Sequence, residues 1–160
     1  VGGEIHVGAT VTKPTSTTLA TTSDDPVAFV NGGSVTVKNN LDAGGYTLGA
    51  AGKRSRTSEQ GMQEISGSLD IELQGTTMRD ALLNQSDLSL LLTFEHASTI
   101  GASSHPTLQV YIPNIRFNDS LPQDADGKPI STSMNFVGLD SLAASTSTIY
   151  ICYQSTDTAL

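Results

Sequence analysis

The sequence predicts a mainly β protein, an antiparallel β-sandwich or incomplete barrel of about seven strands flanked by one short α-helix. Apolar and polar residues alternate in several separate stretches, as expected for strands with one buried and one solvated face. Clusters of glycine, proline and asparagine separate these stretches, and one window has helical spacing instead. Short strands at such intervals are typical of a sandwich or barrel.

The clearest strand runs through residues 63–74. Its odd positions from Ile65 to Leu73 are apolar or glycine, and its even positions are polar. This period of two predicts one face against the core and one face in water. The polar face is formed by Glu64, Ser66, Ser68, Asp70 and Glu72.

A short helix is expected at Met78–Gln85. Thr77 can cap its first free N–H groups, and Asp80 lies near the positive end of the helix dipole. Met78 and Leu82 are one turn apart, so one face of the helix can dock on a sheet. A second alternating strand follows at 88–94, with Leu91 on its polar side and Leu88, Leu90, Leu92 and Phe94 on its apolar side.

Five further strands complete the expected set. In the strand at 108–117 the apolar positions change phase across Pro113, which predicts a β-bulge or sharp bend because proline cannot donate to the ladder. The remaining strands are expected at 4–12, 34–41, 134–136 and 149–153.

The length of 160 residues suits a single domain. Within it we expect an N-terminal arm at 1–33, made of the first strand and a Ser/Thr-rich loop, and a β domain at 34–160. The long loop at 41–60 carries Lys53, Arg54 and Arg56, three of the eight basic residues. Two interpretations of this loop stay open: a mobile solvated loop, or a contact arm whose positive charge meets an acidic neighbour.

Composition narrows the classes of function. The formal charge of −8 argues against a protein that grips nucleic acid, which needs clustered Lys and Arg, but it permits an acidic surface that faces DNA without binding it. Cys152 is the only cysteine, which excludes an internal disulfide framework and a cysteine zinc site and favours a reducing compartment. No apolar run is long enough to cross a membrane, so we expect no membrane partner.

No catalytic, cofactor-binding or metal-binding residues are predicted, and the chain is not expected to be an enzyme. The three histidines, His6, His96 and His105, show neither metal-ligand spacing nor a nucleophile pattern. His96 is in phase with Leu92 and Phe94, which favours a histidine at the end of a core strand. The run at 49–54 lacks the first glycine and the Ser or Thr of a phosphate-binding loop.

The order of these elements resembles the tail tube proteins of long-tailed bacteriophages over about residues 31–155. The resemblance rests on the strand at 35–41, the Gly- and Arg-bearing loop, the long strand at 63–74, the short helix, the strand at 88–94 and the motif at 134–136. Its most suggestive part is the passage Ile112-Pro113-Asn114-Ile115-Arg116-Phe117.

The resemblance implies a structural virion protein rather than a catalyst. Six copies would close into a ring, and rings would stack into a hollow tube that conducts double-stranded viral DNA without binding it specifically. The expected partners are other copies of the chain and other tail proteins such as the tape measure, terminator and tip. The expected location is the phage tail, assembled in the host cytoplasm.

Two hypotheses about site residues follow. The polar face of Glu64, Ser66, Ser68, Asp70 and Glu72 would line the lumen, where negative charge repels DNA. Lys53, Arg54 and Arg56 would reach the next ring and meet its acidic residues. The alternative function is a β-sandwich adhesion or carbohydrate-binding module of a virion or cell surface, although the chain has no tryptophan and only eight Phe and Tyr for stacking on sugars.

Overall fold

The computed structural model describes residues 2–27, 30–42, 44–46, 48–49, 51–57, 59, 61–72, 77–100, 104–119, 131–143 and 145–155. The predicted strand end at 73–74 and the whole loop at 120–130 therefore lie outside the described residues. The elements are β1 Gly2–Val7, β2 Val11–Thr12, β3 Thr21–Thr22, β4 Val30–Lys38, β5 Glu64–Glu72, α1 Thr77–Leu83, β6 Leu88–Glu95, β7 Thr107–Phe117, β8 Ser131–Gly138 and β9 Tyr150–Gln154.

Seven strands form one antiparallel sheet in the order β1-β6-β7-β8-β5-β4, with β9 paired to β7. The first half of β7 lies between β6 and β9, and its last residues pair with β8. The mainly β fold with one short helix is thus confirmed. The strands on either side of α1 are not neighbours, because β5 pairs with β4 and β8 while β6 pairs with β1 and β7. The helix therefore connects two different parts of the sheet.

The bulge predicted at Pro113 is confirmed. Leu90 pairs with Ile112 and Leu88 pairs with Ile115, so three residue steps of β7 oppose two steps of β6. The extra residue shifts the phase of the strand, and this shift buries both Ile112 and Ile115 completely. Strand β7 can therefore pair with β6 and β9 on one side of the fold and with β8, which continues to β5 and β4, on the other side.

The main core lies between these two sides of the bent sheet. Every odd residue of β5 except Gly67 is buried there, as the alternation predicted. At Gly67 a Cβ would collide with the carbonyl oxygen of Ser34 and the ring of Phe136, so only glycine fits between β4 and β8. The buried cluster consists of Ile65, Leu69, Ile71, Leu82, Leu90, Leu92, Ile112, Ile115, Phe117, Met134 and Phe136.

A second, smaller cluster lies on the opposite face of β6 and β7. The Ser/Thr-rich segment forms the two-stranded hairpin β2–β3, and Ala20 from this segment packs on Leu91 and Tyr111. The assignment of Leu91 to a wet side of its strand was therefore wrong. The N-terminal segment covers that side, and Leu91 is only 2% exposed.

Several element ends differ from the sequence-based expectation. The first strand stops at Val7 because Gly8 has a φ of 75°, and the chain resumes as β2. The helix ends at Leu83, and Gln85 already has a φ of 50°. Strand β6 ends at Glu95, so His96 is an exposed residue beyond the strand and not part of the core.

Candidate assembly surfaces

The five residues proposed for a lumen lie together on one face of β5. Glu64 and Asp70 are exposed, and Ser66, Ser68 and Glu72 are half-buried, while the neighbouring odd residues face the core. Because β5 is paired on both sides, this polar face continues onto β4 and β8. The residues opposite it are Ser34, Thr36 and Lys38 on β4 and Ser131, Ser133, Asn135 and Val137 on β8.

This three-stranded surface, which we call the hydroxyl face, carries three carboxylates and one ammonium group. Lys38 is opposite Glu64, whereas Asp70 is opposite Gly32 and Ser133. Two of its hydroxyl groups bond to each other across β4 and β5, Ser34 Oγ and Ser68 Oγ at 3.1 Å. The result is a polar surface with a net negative charge and no aromatic residue among those named on it, because Phe136 of β8 faces the core.

The segment between β4 and β5 continues their pairing as an antiparallel ribbon. Gly61 N donates to Asn40 O at 3.1 Å, and Asp42 N donates to Glu59 O at 3.0 Å. Further along, Tyr46 and Arg54 form an isolated bridge, and Ser55 N donates to Gly45 O at 2.8 Å. The described part of the segment at 39–63 is therefore a projecting ribbon with a regular pairing pattern.

The three basic residues lie on this ribbon in different surroundings. Arg56 Nη2 is 2.5 Å from Asp42 Oδ2, and Arg56 Nη1 is 3.2 Å from Glu59 Oε1, so Arg56 joins the two sides of the ribbon. The Arg54 guanidinium lies 5.6 Å from the centre of the Tyr46 ring. Lys53 is exposed next to the turn. The sequence placed the three cations in one loop, but it did not indicate that Asp42 and Glu59 form ion pairs with Arg56.

Apolar side chains are exposed at the far end of the same ribbon. Leu48 is fully exposed in the turn, and Tyr46 is 65% exposed at its base. Gly49, Ala51 and Gly52 have positive φ values of 97°, 50° and 78°, which gives the turn its tight left-handed path. Leu41 and Met62 are exposed lower on the ribbon.

The sheet has strand edges without partners in the described structure. Strand β4 pairs only with β5, and β9 pairs only with β7. Near β9, Leu108 is opposite both Phe94 and Tyr153, so these three share one face of the sheet. Val110 and Ile151 continue that face. Phe94, Ile151 and Tyr153 are between 43% and 66% exposed, which leaves an apolar surface beside an open edge.

An apolar cleft of about 450 Å³ opens between β1 and β4. Its walls are Ile5 on β1, Val30 to Val35 on β4, and Leu92 and Phe94 on β6. Leu69 and Val110 complete its lining. Nothing about the sequence pattern signalled this cleft, because it arises where the two sides of the bent sheet diverge.

The N-terminal arm is held by buried polar contacts. Ala20 N donates to Gln109 Oε1 at 2.8 Å, and Gln109 Nε2 donates to Ala20 O at 3.1 Å and to Thr93 Oγ1 at 3.1 Å. Beside them, the rings of Tyr111 and Tyr150 stack with centroids 5.8 Å apart. Burial and the neighbouring Tyr150 raise the pKa of Tyr111 above its ordinary value.

Two of the histidines lie near single carboxylates. His105 Nε2 lies 3.6 Å from Glu95 Oε1, and its Nδ1 lies 3.0 Å from the carbonyl oxygen of His96. Buried His6 lies 3.8 Å from Glu4 and has no hydrogen-bond partner at Nδ1. Among the described residues no group of three or more His, Cys, Asp or Glu could hold a metal ion.

Comparison with known protein families gives a match over most of the chain. Within the described residues, no helix has the length and apolar character needed to cross a membrane. No curated protein matches the sequence. Residues 5–138 match the family described as phage tail tube protein. This match includes the hydroxyl face, the ribbon and α1, and the chain therefore belongs to the family of phage tail tube proteins.

Proposed function

We propose that this chain is the repeating subunit of six-membered rings that stack into the hollow phage tail tube and conduct viral DNA. Membership of the family gives a structural role in the virion tail. The hydroxyl face is the observation that supports the more specific proposal of a ring subunit around a DNA-conducting channel. It is a continuous polar surface on three adjacent strands, with acidic residues in excess and no aromatic side chain.

The hydroxyl face suits a channel that DNA must traverse quickly. Carboxylates repel phosphates over a Debye length of about 10 Å at 0.1 M salt, so a sliding duplex is kept from adhering. Serine and threonine side chains carry no aromatic ring, so they offer no stacking platform for bases. We therefore place Glu64, Ser66, Ser68, Asp70 and Glu72 on the lumen side.

Closure of the ring would use the open strand edges. An unpaired edge is a template for another chain, and a monomeric protein normally protects such an edge. Strand β4 and strand β9 each have one side unpaired in the described structure, and apolar residues lie beside β9. Edge contacts between different surfaces of successive copies are heterologous and can close into a ring.

Stacking of rings would use the ribbon at 39–63. It carries Lys53, Arg54 and Arg56 on a chain with a formal charge of −8, so its charge is opposite to that of most of the protein. We propose that this ribbon contacts an acidic surface of the next ring. Ring ends would contact other tail proteins, such as the tape measure, terminator and tip, and assembly would take place in the host cytoplasm.

Reversal of charge on the hydroxyl face tests the lumen assignment. The variant E64K/D70K should still form tubes, because both side chains are exposed, but its tubes should retain double-stranded DNA in a salt-dependent manner. The control D25K/D140K makes the same charge change at two exposed acids outside this face. Electron microscopy monitors the tubes, and sedimentation with labelled DNA monitors retention.

The outcomes separate clearly. Greater DNA retention by E64K/D70K than by D25K/D140K supports a lumen lined by the hydroxyl face. Equal retention by the two variants contradicts that assignment. A parent protein that forms no rings or tubes at high concentration contradicts the proposed function itself.

A further inference from the structure

We propose that Asp87 is a positioning residue that keeps the guanidinium of Arg116 from holding DNA in the bore of the tube. The inference rests on the proposed function, because it takes the hydroxyl face as the lumen side. It extends that face onto a fourth strand, β7, and gives the ion pair between Asp87 and Arg116 a role in the passage of DNA.

Arg116 lies on the same side of the sheet as the hydroxyl face. It is opposite Val137 of β8, and Val137 is opposite Ser66 of β5. The next pair along β7 and β8, Phe117 and Phe136, is buried in the main core. Because successive residues of a strand face opposite sides, the preceding pair faces away from the core. The row of residues that crosses the hydroxyl face therefore continues onto β7, where it reaches a cation.

Asp87 is placed to neutralise this cation. Leu88, the first residue of β6, is opposite Ile115 of β7. Continuing this antiparallel register by one residue puts Asp87 opposite Arg116. Arg116 Nε donates to Asp87 Oδ1 at 2.9 Å, and Arg116 Nη2 donates to the same oxygen at 2.6 Å. One carboxylate oxygen thus occupies two nitrogens of the guanidinium.

The cations on this side of the fold are matched by carboxylates. Strands β4, β5, β7 and β8 contain two Lys or Arg residues, Lys38 and Arg116. Lys38 is opposite Glu64, and Arg116 is bonded to Asp87. Each cation on these strands therefore has a carboxylate as its neighbour across the sheet, which keeps the surface from presenting an uncompensated positive charge.

Arg116 without its partner would favour retention of DNA. A guanidinium is always charged and presents a rigid fork of N–H donors that matches a phosphate group. Asp87 cancels this charge locally and takes donors that a phosphate would otherwise bind. Every copy in a ring repeats the position, so unpaired arginines would place a circle of cations around the duplex and hold it electrostatically.

A contribution to stability does not account for this pair. The side chains of Arg116 and Asp87 are 41% and 47% exposed, and ion pairs with this much exposure contribute little to the free energy of unfolding. Arg79 and Asp80 on α1 form a similar pair, with exposures of 51% and 47%. Because α1 is not one of the strands of the hydroxyl face, this second pair provides a matched control.

Neutralisation of each aspartate tests the inference. Tubes of D87N and of D80N are assembled with a labelled DNA duplex, treated with nuclease and sedimented at increasing salt. Each variant loses one carboxylate beside an arginine, so the change in net charge is the same. D87N tubes should retain several-fold more nuclease-resistant duplex than D80N tubes, and this retention should fall as salt rises. The denaturation midpoints of both variants should stay close to that of the parent.

Two further variants assign the effect to Arg116. D87E restores a carboxylate, and D87N/R116Q removes the cation, so both should return DNA retention to the level of the parent tubes. If D87N alone forms no tubes, co-assembly with parent subunits provides tubes for the same measurement. Failure of this mixed assembly would show that Asp87 serves assembly, which overturns the inference.

The remaining outcomes are also decisive. High retention by D87N that is lost in D87N/R116Q supports the inference. Equal retention by D87N and D80N tubes overturns it, as does retention that persists in D87N/R116Q. In those cases the proposed lumen still stands if E64K/D70K tubes retain DNA in the same assay, because that variant places cations on the hydroxyl face itself. If E64K/D70K tubes retain no more DNA than D25K/D140K tubes, the inference and the lumen assignment both fail.

Discussion

Gln109 holds the backbone of Ala20 with both ends of its side-chain amide. Ala20 N donates to Oε1 at 2.8 Å, and Nε2 donates back to Ala20 O at 3.1 Å. Gln109 is 5% exposed and Ala20 is 4% exposed, so this pair of hydrogen bonds is shielded from water. It fastens the N-terminal arm to the sheet in the way that a neighbouring strand would.

Removal of this amide should release the arm. The variant Gln109→Leu leaves the N–H and C=O of Ala20 buried without their partner, which costs about 1–3 kcal/mol of stability. Hydrogen exchange should show faster exchange at 10–22 while the protection of β5 and β8 persists. The control Gln63→Leu removes an exposed amide that bonds only the Asn39 side chain among the contacts described, and it should change the free energy of unfolding little. Unchanged exchange at 10–22 in Gln109→Leu would contradict the proposed fastening.

Gly67 should not tolerate even one methyl group. An alanine Cβ there would overlap the Ser34 carbonyl oxygen and the Phe136 ring, and backbone cannot move aside cheaply. Gly67→Ala should lower the free energy of unfolding by about 1–3 kcal/mol, the range for overpacked cores. Gly2→Ala is the matched control because nothing lies within 4 Å of its Cβ position. Equal denaturation midpoints for the two variants would show that β4 and β8 are not packed around Gly67.

Stability should fall in alkaline solution because of Tyr111. Burial first, and Tyr150 second, raise its pKa above the ordinary value of 10.0, so the folded protein binds this proton more tightly than the unfolded chain does. The contribution of protonated Tyr111 to the free energy of unfolding is complete below pH 10 and is lost as pH rises through the folded-state pKa. In Tyr111→Phe the slope of unfolding free energy against pH in this range should be smaller than in the parent protein. Parallel slopes for parent and Tyr111→Phe would be inconsistent with this account.

Reversal of the ribbon charge should block polymerisation without unfolding the subunit. R54E/R56E subunits should remain folded by circular dichroism but form no tubes, because two cations of the proposed inter-ring contact become acids. R79E serves as the control, since Arg79 lies on α1 and pairs with Asp80. Normal tubes from R54E/R56E would refute the contact.

The role of Arg56 needs its own variant, because Arg56 also pairs with Asp42 and Glu59. The swap D42R/R56D keeps an ion pair across the ribbon and moves the cation to the other side. If Arg56 serves as a brace, the swapped protein should assemble as the parent does. Loss of tubes in the swapped protein would instead assign Arg56 to direct contact with another copy.

Sequence reasoning succeeded where a local pattern determines the structure. Alternation along β5 placed its buried and polar faces correctly, and Pro113 marked the bulge in β7. The five proposed lumen residues therefore share one face, although their position in an assembled tube remains a prediction, as does the division into an arm at 1–33 and a β domain at 34–160.

The errors arose where one part of the chain covers another. Leu91 was placed on the polar side of its strand, but a Ser/Thr-rich segment with no apolar repeat covers it and the neighbouring Gln109. His96 continued the phase of β6, yet the strand ends one residue earlier. The pairing that turns 39–63 into a ribbon, and the cleft near Val30, depend on tertiary contacts that no local pattern encodes.

Cryo-electron microscopy of the assembled protein, at a resolution that traces β5, is the most direct test of the central claim. The account predicts stacked rings around an open bore, with the side chains of Glu64, Asp70 and Glu72 directed into it. A protein that stays solitary at high concentration, or a tube in which Asp70 faces the outer surface, would contradict the account.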